Sequence, residues 1–592
     1  MAGNQAPLIK NNMKLHIFAL CQAHYHYNQQ GYFNSGYMDN YFDLGGYHRD
    51  ITTSSETARR WFNRGLIWCY GFNHEEALRC FEKVIDIDPD CAMGYWGIAY
   101  ASGPFYNKPW EWYGLLERED TIAFCRQFAL KAEQLKDRAS PVECALIDAL
   151  CAKHPAALAI NLIELEHWSQ EYAEAMRRVY AEFADDLDVI CLCTEALMNL
   201  TPWKLWDIEF GIPARGACTE EAIAILEHGL QQVEQRSMCP HPGLLHFYIH
   251  VYEMSPTPEK ALPYADQLRN LSPDCGHLVH MASHIDSLCG HWQTAADANR
   301  LATEVDAKYV ALRGTDEFYM ISVVHNHDFN IWASMFLGQY GEALRSADTI
   351  CELVRDKCQL SDKRYLASTL EGYYAGRAHV LVRFGCWQQI CDEAMPDEPE
   401  SVPITTILLV YAKAIAHAAL GDLTTARDYQ QEFYRLYRAV PEWHIMANNP
   451  SRDILAVAQA MMNGEVEYHA GNHELGFHYL REACILCDHL EYSEPWPWMH
   501  PPRHALGALL LEQNRVDEAI IHYQDDLGIG NRLPRCVQHP DNIWALHGYH
   551  ECLLRLARHD AAAAIKPRLD ELIQQSDTEI KSSCCCRGMQ AS

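Results

Sequence analysis

His246 and His250 stand four apart in "HPGLLHFYIHVYE" (241–253), and His280 and His284 stand four apart in "CGHLVHMASHID" (275–286). From 246 to 280 and from 250 to 284 the offset is the same, 34 residues. Imidazole is a common ligand for Zn, Cu, Fe and Ni, and two histidines at i and i+4 share a helix face and can chelate one ion. The same face rule adds Glu253 to the first pair and His277 to the second, and the downstream "HNHDF" (325–329) offers His325 and Asp328. The chemistry this points to is a metal centre: His246, His250, His280, His284, His325 and Glu253 as ligands, with His277 or Asp328 completing it or acting as base. His504, beside Arg503 in "EPWPWMHPPRHALGALLLEQ", faces the same groove as a further catalytic or substrate-contacting candidate. His547 and Glu551 are weaker candidates of the same kind. Cu, Fe, Mn and Zn all fit such donors, and six imidazoles would suffice for two ions. The competing reading treats these histidines as packing, or as a groove that hydrogen-bonds an acidic ligand.

The elements that must hold these side chains are repeated helical hairpins. In "ARRWFNRGLIWCYGFNHEEALRCFEKVIDIDPDC" (58–91), Trp61, Gly65, Trp68, Ala77, Phe81, Val84 and Pro89 fall where a tetratricopeptide unit of 34 residues needs them. Turn patterns recur at "GHWQTA", "GQYGEA", "GDLTTA" and "NRVDEA". First helices are expected near 58, 92, 242, 276, 324, 371, 407, 457, 500 and 543. Helical periodicity continues through 110–240 in poor register, and no stretch alternates as a strand. The expectation is an all-α, right-handed superhelical solenoid over 58–575, divisible into 58–350 and 351–575. An extended N-terminal arm (1–57) precedes it and a disordered tail (576–592) comes after it. Equivalent positions of stacked units are neighbours, so the two His pairs should meet on the concave inner surface. His74, Trp96 and Trp110 read as structural, and Cys275 lacks the CxxC partner of a zinc site.

Composition narrows the partners. The net charge of −31 leaves no basic footprint for nucleic acid or an anionic membrane surface. No apolar run is long enough to span a bilayer, and the 24 cysteines lack disulfide-framework spacing, so a cytoplasmic protein with reduced thiols is expected. The run Cys584-Cys585-Cys586 sits in the expected tail. Nucleotide loops, the GxSxG elbow and HExxH are all missing from the sequence.

The segments "YFDLGGYHRDITTSS", "WCYGFNHEEALRCF", "CAMGYWGIAYASGP", "HPGLLHFYIHVYEMSP", "GHLVHMASHI", "EPWPWMHPPRHALGALLLEQ" and "HPDNIWALHGYHECL" resemble a large tetratricopeptide-repeat family of bacteria and filamentous fungi, over about residues 41 to 558. That family is described by its repeat and not by an activity, so the resemblance implies a shared groove. Its pattern His-Asn-x-His-Phe meets His325-Asn326-His327-Asp328-Phe329 in this chain, with Asp328 in place of the second His. If that position binds metal, oxygen replaces nitrogen and metal preference changes.

Two functions are expected. One is a metal-dependent enzyme acting on a small organic molecule, aromatic or polyketide-like, with secondary metabolism as a setting suggested by the resemblance; oxidation, hydrolysis and cyclisation stay open. The other is a non-catalytic scaffold holding a peptide or protein partner in the same groove. Clamps for acidic peptides use Lys, Arg and Asn, whereas the inner positions in this chain carry imidazoles and carboxylates.

Overall fold

The structure is a computed structural model that describes residues 41–355 and 364–587. Contacts divide the chain into Met1–Asp43 and Leu44–Ser592. Residues 1–40 of the expected arm lie outside the described residues, and the helical hairpins all belong to the second unit.

Ser55 caps α1 (Glu56–Tyr70) through the Ala58 amide, and Asn73 caps α2 (His74–Ile87) through that of Glu76; each accepts a bond from an amide that the first turn leaves unpaired. The Phe81 side chain is fully buried between α1 and α3 (Ala92–Ser102). A methyl group at Gly65 would lie 2.6 Å from its ring and one at Gly97 2.4 Å, so the glycines are what lets the aromatic enter. The same wedge recurs at the far end, where Tyr523 sits against Gly507 and Gly548.

α4 (Leu115–Leu135), α5 (Pro141–Lys153), α6 (Leu162–Glu182), α7 (Leu187–Met198) and α8 (Thr219–Gln235) fill the region of poor register as successively packed helices. The next helices are α9 (Pro242–Glu253), α10 (Leu262–Leu268), α11 (Gly276–His280), α12 (Ala282–Leu288), α13 (Trp292–Arg313), α14 (Met320–Leu337) and α15 (Tyr340–Val354), and α9, α11, α12 and α14 carry the histidines from His246 to His325. α16 (Arg364–Tyr374), α17 (Gly376–Arg383), α18 (Trp387–Asp392), α19 (Pro403–Ala419), α20 (Leu423–Ala439), α21 (Ser451–His469) and α22 (His473–Asp488) continue the stack. α23 (Pro502–Glu512), α24 (Val516–Asp526), α25 (Ile543–Arg555) and α26 (His559–Gln575) end it. Among the described residues, sheet is confined to two-residue ladders at Trp206–Asp207 with Ile212–Pro213 and Ile445–Met446 with Asn449–Pro450. The fold is therefore an all-α solenoid of hairpins; helices begin at or within two residues of the starts expected near 58, 92, 242, 276, 500 and 543, and four to seven residues before those expected near 324, 371, 407 and 457.

Three features depart from a simple open array. Residues 44–54 have no helix or strand and cross several hairpins: Arg49 pairs with Asp186 and Asp188 at 2.7 Å each, and the Thr52 amide donates to Glu143 at 2.8 Å. The last helices return to the middle of the chain. The Trp544 indole donates to the Met335 carbonyl at 2.6 Å, and the Trp292 indole to that of Pro540 at 2.8 Å. No boundary at 350/351 separates compact units. Finally, the stretch expected to be a disordered tail packs down as far as it is described: Ser583 and Cys586 are buried, and Arg383 donates to the Ser583 carbonyl at 2.9 Å. The apolar and hydroxyl side chains around Cys584–Cys586 give that segment partners which its polar composition did not announce.

Candidate metal centre

α9 begins at His241, whose ring accepts from the Leu244 amide and also meets Asp188 at 3.2 Å, with Pro242 in the first turn where no amide donor is needed. That start sets the face on which His246, His250 and Glu253 lie. On the next unit α11 and α12 join at Met281, whose φ of −54° and ψ of −32° remain helical, so His277, His280 and His284 keep one face across the junction. His325 arrives from α14.

The rings do meet. Centroids lie 4.6 Å apart for His246–His250, 4.9 Å for His246–His277, 5.8 Å for His277–His280, 4.6 Å for His280–His284 and 4.7 Å for His280–His325. They are not on an open concave surface, where the repeat register places them. His246, His250 and His280 are fully buried and His277 and His284 are 2% exposed, because Phe72, Tyr106 and Phe329 close over them.

Hydrogen bonds fix most tautomers. His246 Nδ1 donates to the Tyr70 carbonyl at 2.5 Å. His280 Nδ1 donates to Asn299 Oδ1 at 2.7 Å, and the orientation of that amide is set because Asn299 Nδ2 donates to the Ala295 carbonyl. Glu253 takes both remaining Nδ1 groups, His250 at 2.9 Å on Oε1 and His284 at 2.6 Å on Oε2. Four rings thus turn Nδ1 to an oxygen and Nε2 inward, the arrangement that orients histidine for a metal. His280 Nε2 and His284 Nε2 face one another at 2.7 Å. With Glu253 protonated and donating to His284 Nδ1, His284 Nε2 donates to His280; with Glu253 ionised, that contact needs a shared proton or cation. His250 Nε2 is buried without a partner, and His277 Nε2 lies 3.2 Å from His246 Nε2. A tetrahedral ion with Zn–N of about 2.0–2.1 Å separates its ligand nitrogens by roughly 3.3 Å.

Two triads result, His246/His250/His277 and His280/His284/His325, each with one ligand atom per residue within 4.8 Å of the others. A third convergence, His250/Glu253/His284/Glu494, runs between them. Burial lowers the proton affinity of every ring, to about 3 for His250 and about 4 for His280, and mutual repulsion adds to it for His246, His277 and His284. These imidazoles are neutral near pH 7, the state a metal ligand requires. Burial pushes the Glu253 and Glu494 carboxyls well above the ordinary carboxylate range, Glu494 also by proximity to Glu253.

A cavity of about 690 Å³, counting its mouth, opens onto His250, His277, His284 and His325. A second, lined by Asp328, His379 and Met499, shares Thr369, Tyr373, Ala447 and Glu494 with it. Asp328 therefore does not join the imidazole triads; burial lifts its carboxyl to about 8, and it faces the second cavity. His504 also lies apart from the triads. Its Nε2 donates to Asp526 at 2.8 Å, and its Nδ1 accepts from Arg383 at 3.2 Å, so both nitrogens are committed to a separate buried knot. Arg503 pairs with Asp488, and Glu551 with Arg555 and Arg587. His74, bonded to the Ala101 carbonyl and stacked on Phe105, and Trp96, bonded to that of Leu146, serve packing.

Glu494 is the residue of this cluster that the helix register could not reveal. It precedes Pro495 in the non-helical "EPWPW", and only the return of the chain brings it to His284, 3.3 Å away. The one sequence signal was a carboxylate amid a Trp/Pro-rich segment.

Residues 58–91 match the family model for the tetratricopeptide repeat. The match covers one unit of the stack. No curated protein matches the chain. Among solved structures, the human IFIT1 dimer with m7Gppp-AAAA is similar at 10% identity and a TM-score of 0.31, covering 89% of this chain and 91% of its own. Yeast Tom70 is similar at 12% and 0.24, with 88% and 93% covered. Likenesses this weak carry no functional argument. No helix among the described residues is long and apolar enough to cross a membrane.

Proposed function

We propose that the protein is a metal-dependent enzyme whose two imidazole triads sit beneath a cavity for a small organic substrate. The observation that carries the reading is geometric: in each triad one ligand atom per histidine lies within 4.8 Å of the others, while Nδ1 of four rings is turned outward to oxygen. His246, His250 and His277 would hold one ion, His280, His284 and His325 a second, and Glu253 orients one ring of each set. Bound Cu, Fe, Mn or Zn supplies Lewis acidity or redox capacity at the cavity floor. The protein's own part is to keep the rings neutral, fix their direction and exclude bulk water with Phe72, Tyr106 and Trp203.

Elemental analysis of purified protein tests this, with the wild type beside H250A/H284A. The expected result is stoichiometric metal in the wild type, also after chelation and reloading, and its loss in the variant. Wild-type protein that takes up none of the four metals would end the proposal. A scaffold holding a partner protein is the second reading, favoured by the tetratricopeptide unit at 58–91. It would leave the buried imidazoles without a role in binding, since a peptide cannot reach rings that are 0–2% exposed.

A further inference from the structure

Buried polar atoms with no hydrogen-bond partner in the protein gather at the cavity above the triads. They include both Glu494 carboxyl oxygens, Asn107 Oδ1 and Trp203 Nε1, all from residues that line it. A buried polar group left unpaired costs about 1–3 kcal/mol, and native proteins keep few. Four such atoms around one space therefore point to a guest that meets them. The carboxyl and the amide oxygen accept, while the indole donates.

The remaining walls are aromatic. Trp112 and Tyr365 stack at 3.9 Å, Phe318 lies 6.5 Å from Trp112 and 6.2 Å from Phe105, and Phe105 lies 5.5 Å from Phe72. These rings bound the same cavity as the unpaired atoms. Flat faces of this kind suit an offset-stacked or edge-on aromatic guest. A cation without an aromatic body is a poorer match, because the Trp203 N–H would oppose it.

We propose that the substrate is a hydroxylated aromatic compound, with Glu494 accepting a hydrogen bond from its phenolic hydroxyl. The proposal deepens the reading of this cavity as a substrate site and rests on it. Glu494 reaches the floor beside His284 at 3.3 Å and the walls of both cavities, so an hydroxyl bound to it is held next to the second triad. The indole of Trp203 is then available to an oxygen elsewhere on the ring system. Sites built to receive a hydroxyl reject the analogue lacking it far more strongly than they discriminate by size.

The test is calorimetric titration of the full chain with 4-hydroxyacetophenone and with its methyl ether, 4-methoxyacetophenone, before and after dialysis against a chelator. Wild-type protein is expected to bind the phenol about tenfold or more tightly than the ether, with and without metal, and E494L to lose the preference. Equal affinities in the wild type, or an unchanged ratio in E494L, would overturn the assignment. If E494L does not fold, E494A must narrow the ratio; an unaltered ratio counts against the proposal. Metal content of the same samples separates the two ideas. A phenol preference in protein that takes up no metal keeps this site and removes the metal centre, whereas metal without preference does the reverse.

Discussion

Two buried histidine clusters lie in the same solenoid and do opposite things with their nitrogens. Around α24, Asp526 receives His504 Nε2 at 2.8 Å, His539 Nδ1 at 2.8 Å and Asn542 Nδ2 at 2.9 Å, while Arg383 donates to the other His504 nitrogen. Both nitrogens of His504 have a protein partner, and the two histidines beside Asp526 hold its carboxyl well below the usual range despite burial. Around α9, α11 and α12 the outer nitrogens of four rings also meet oxygen, but the inner ones face other imidazoles and the carboxyls are driven up. Burial of histidine does not by itself mark a ligand. What distinguishes the clusters is that the inner one gathers three ligand nitrogens at a point, twice.

The sharpest way to break that comparison is to remove ligands from the inner set. H250A/H284A should abolish metal uptake, read by elemental analysis, and D526A should leave it unchanged. D526A should instead cost about 3–5 kcal/mol of stability in urea titration, because His504, His539 and Asn542 lose a shared buried acceptor. Asp526 also sets a direction with pH. Its folded proton affinity is depressed, so its contribution is present above the unfolded carboxylate range and is lost as pH falls through and below it. Wild-type stability should therefore drop on acidification more steeply than that of D526A.

A smaller effect sharpens the role of Glu253, which touches one ring of each triad. E253Q should retain the fold and weaken metal binding about 10–100-fold in competition with a chelator, as expected when an outer hydrogen-bond partner of ligating histidines is altered. The smallest effect concerns Asp306, near the cluster but outside it, where Tyr319 and Asn326 donate to a carboxyl that burial raises to about 7. Here the sign is reversed. The raised folded value favours the protein below the unfolded range and the advantage fades as pH climbs to about 7. D306N should flatten the pH-stability profile between about pH 4 and 7, by no more than about 1.4 kcal/mol per pH unit.

The inner cluster was legible because one helix period and one repeat length were enough to place it. His246, His250, His280 and His284 needed no information beyond i, i+4 and the 34-residue offset. The same register puts His504 on the inner face, and it is buried there, yet the loop at 535–542 supplies His539 and Asn542 as competing partners, which periodicity does not encode. Asp328 holds its place on α14, but the turn of the helix directs it to the adjoining cavity. Glu494 was invisible because it is carried by a loop that reaches His284 only through the closure of the chain on itself. For the same reason the groove, open by its repeat register, is narrowed to a cavity with a mouth.

That closure has a consequence for how the molecule comes apart. An array whose units touch only their neighbours can fray from either end, one hairpin at a time. With the Trp544 indole bonded to Met335 and Ser576 to the Gly338 carbonyl, the final helices are seated on the centre of the sequence. Loosening them exposes the middle, so melting should be concerted, and a chain emerging from the ribosome cannot complete its interior until nearly all of it has been synthesised.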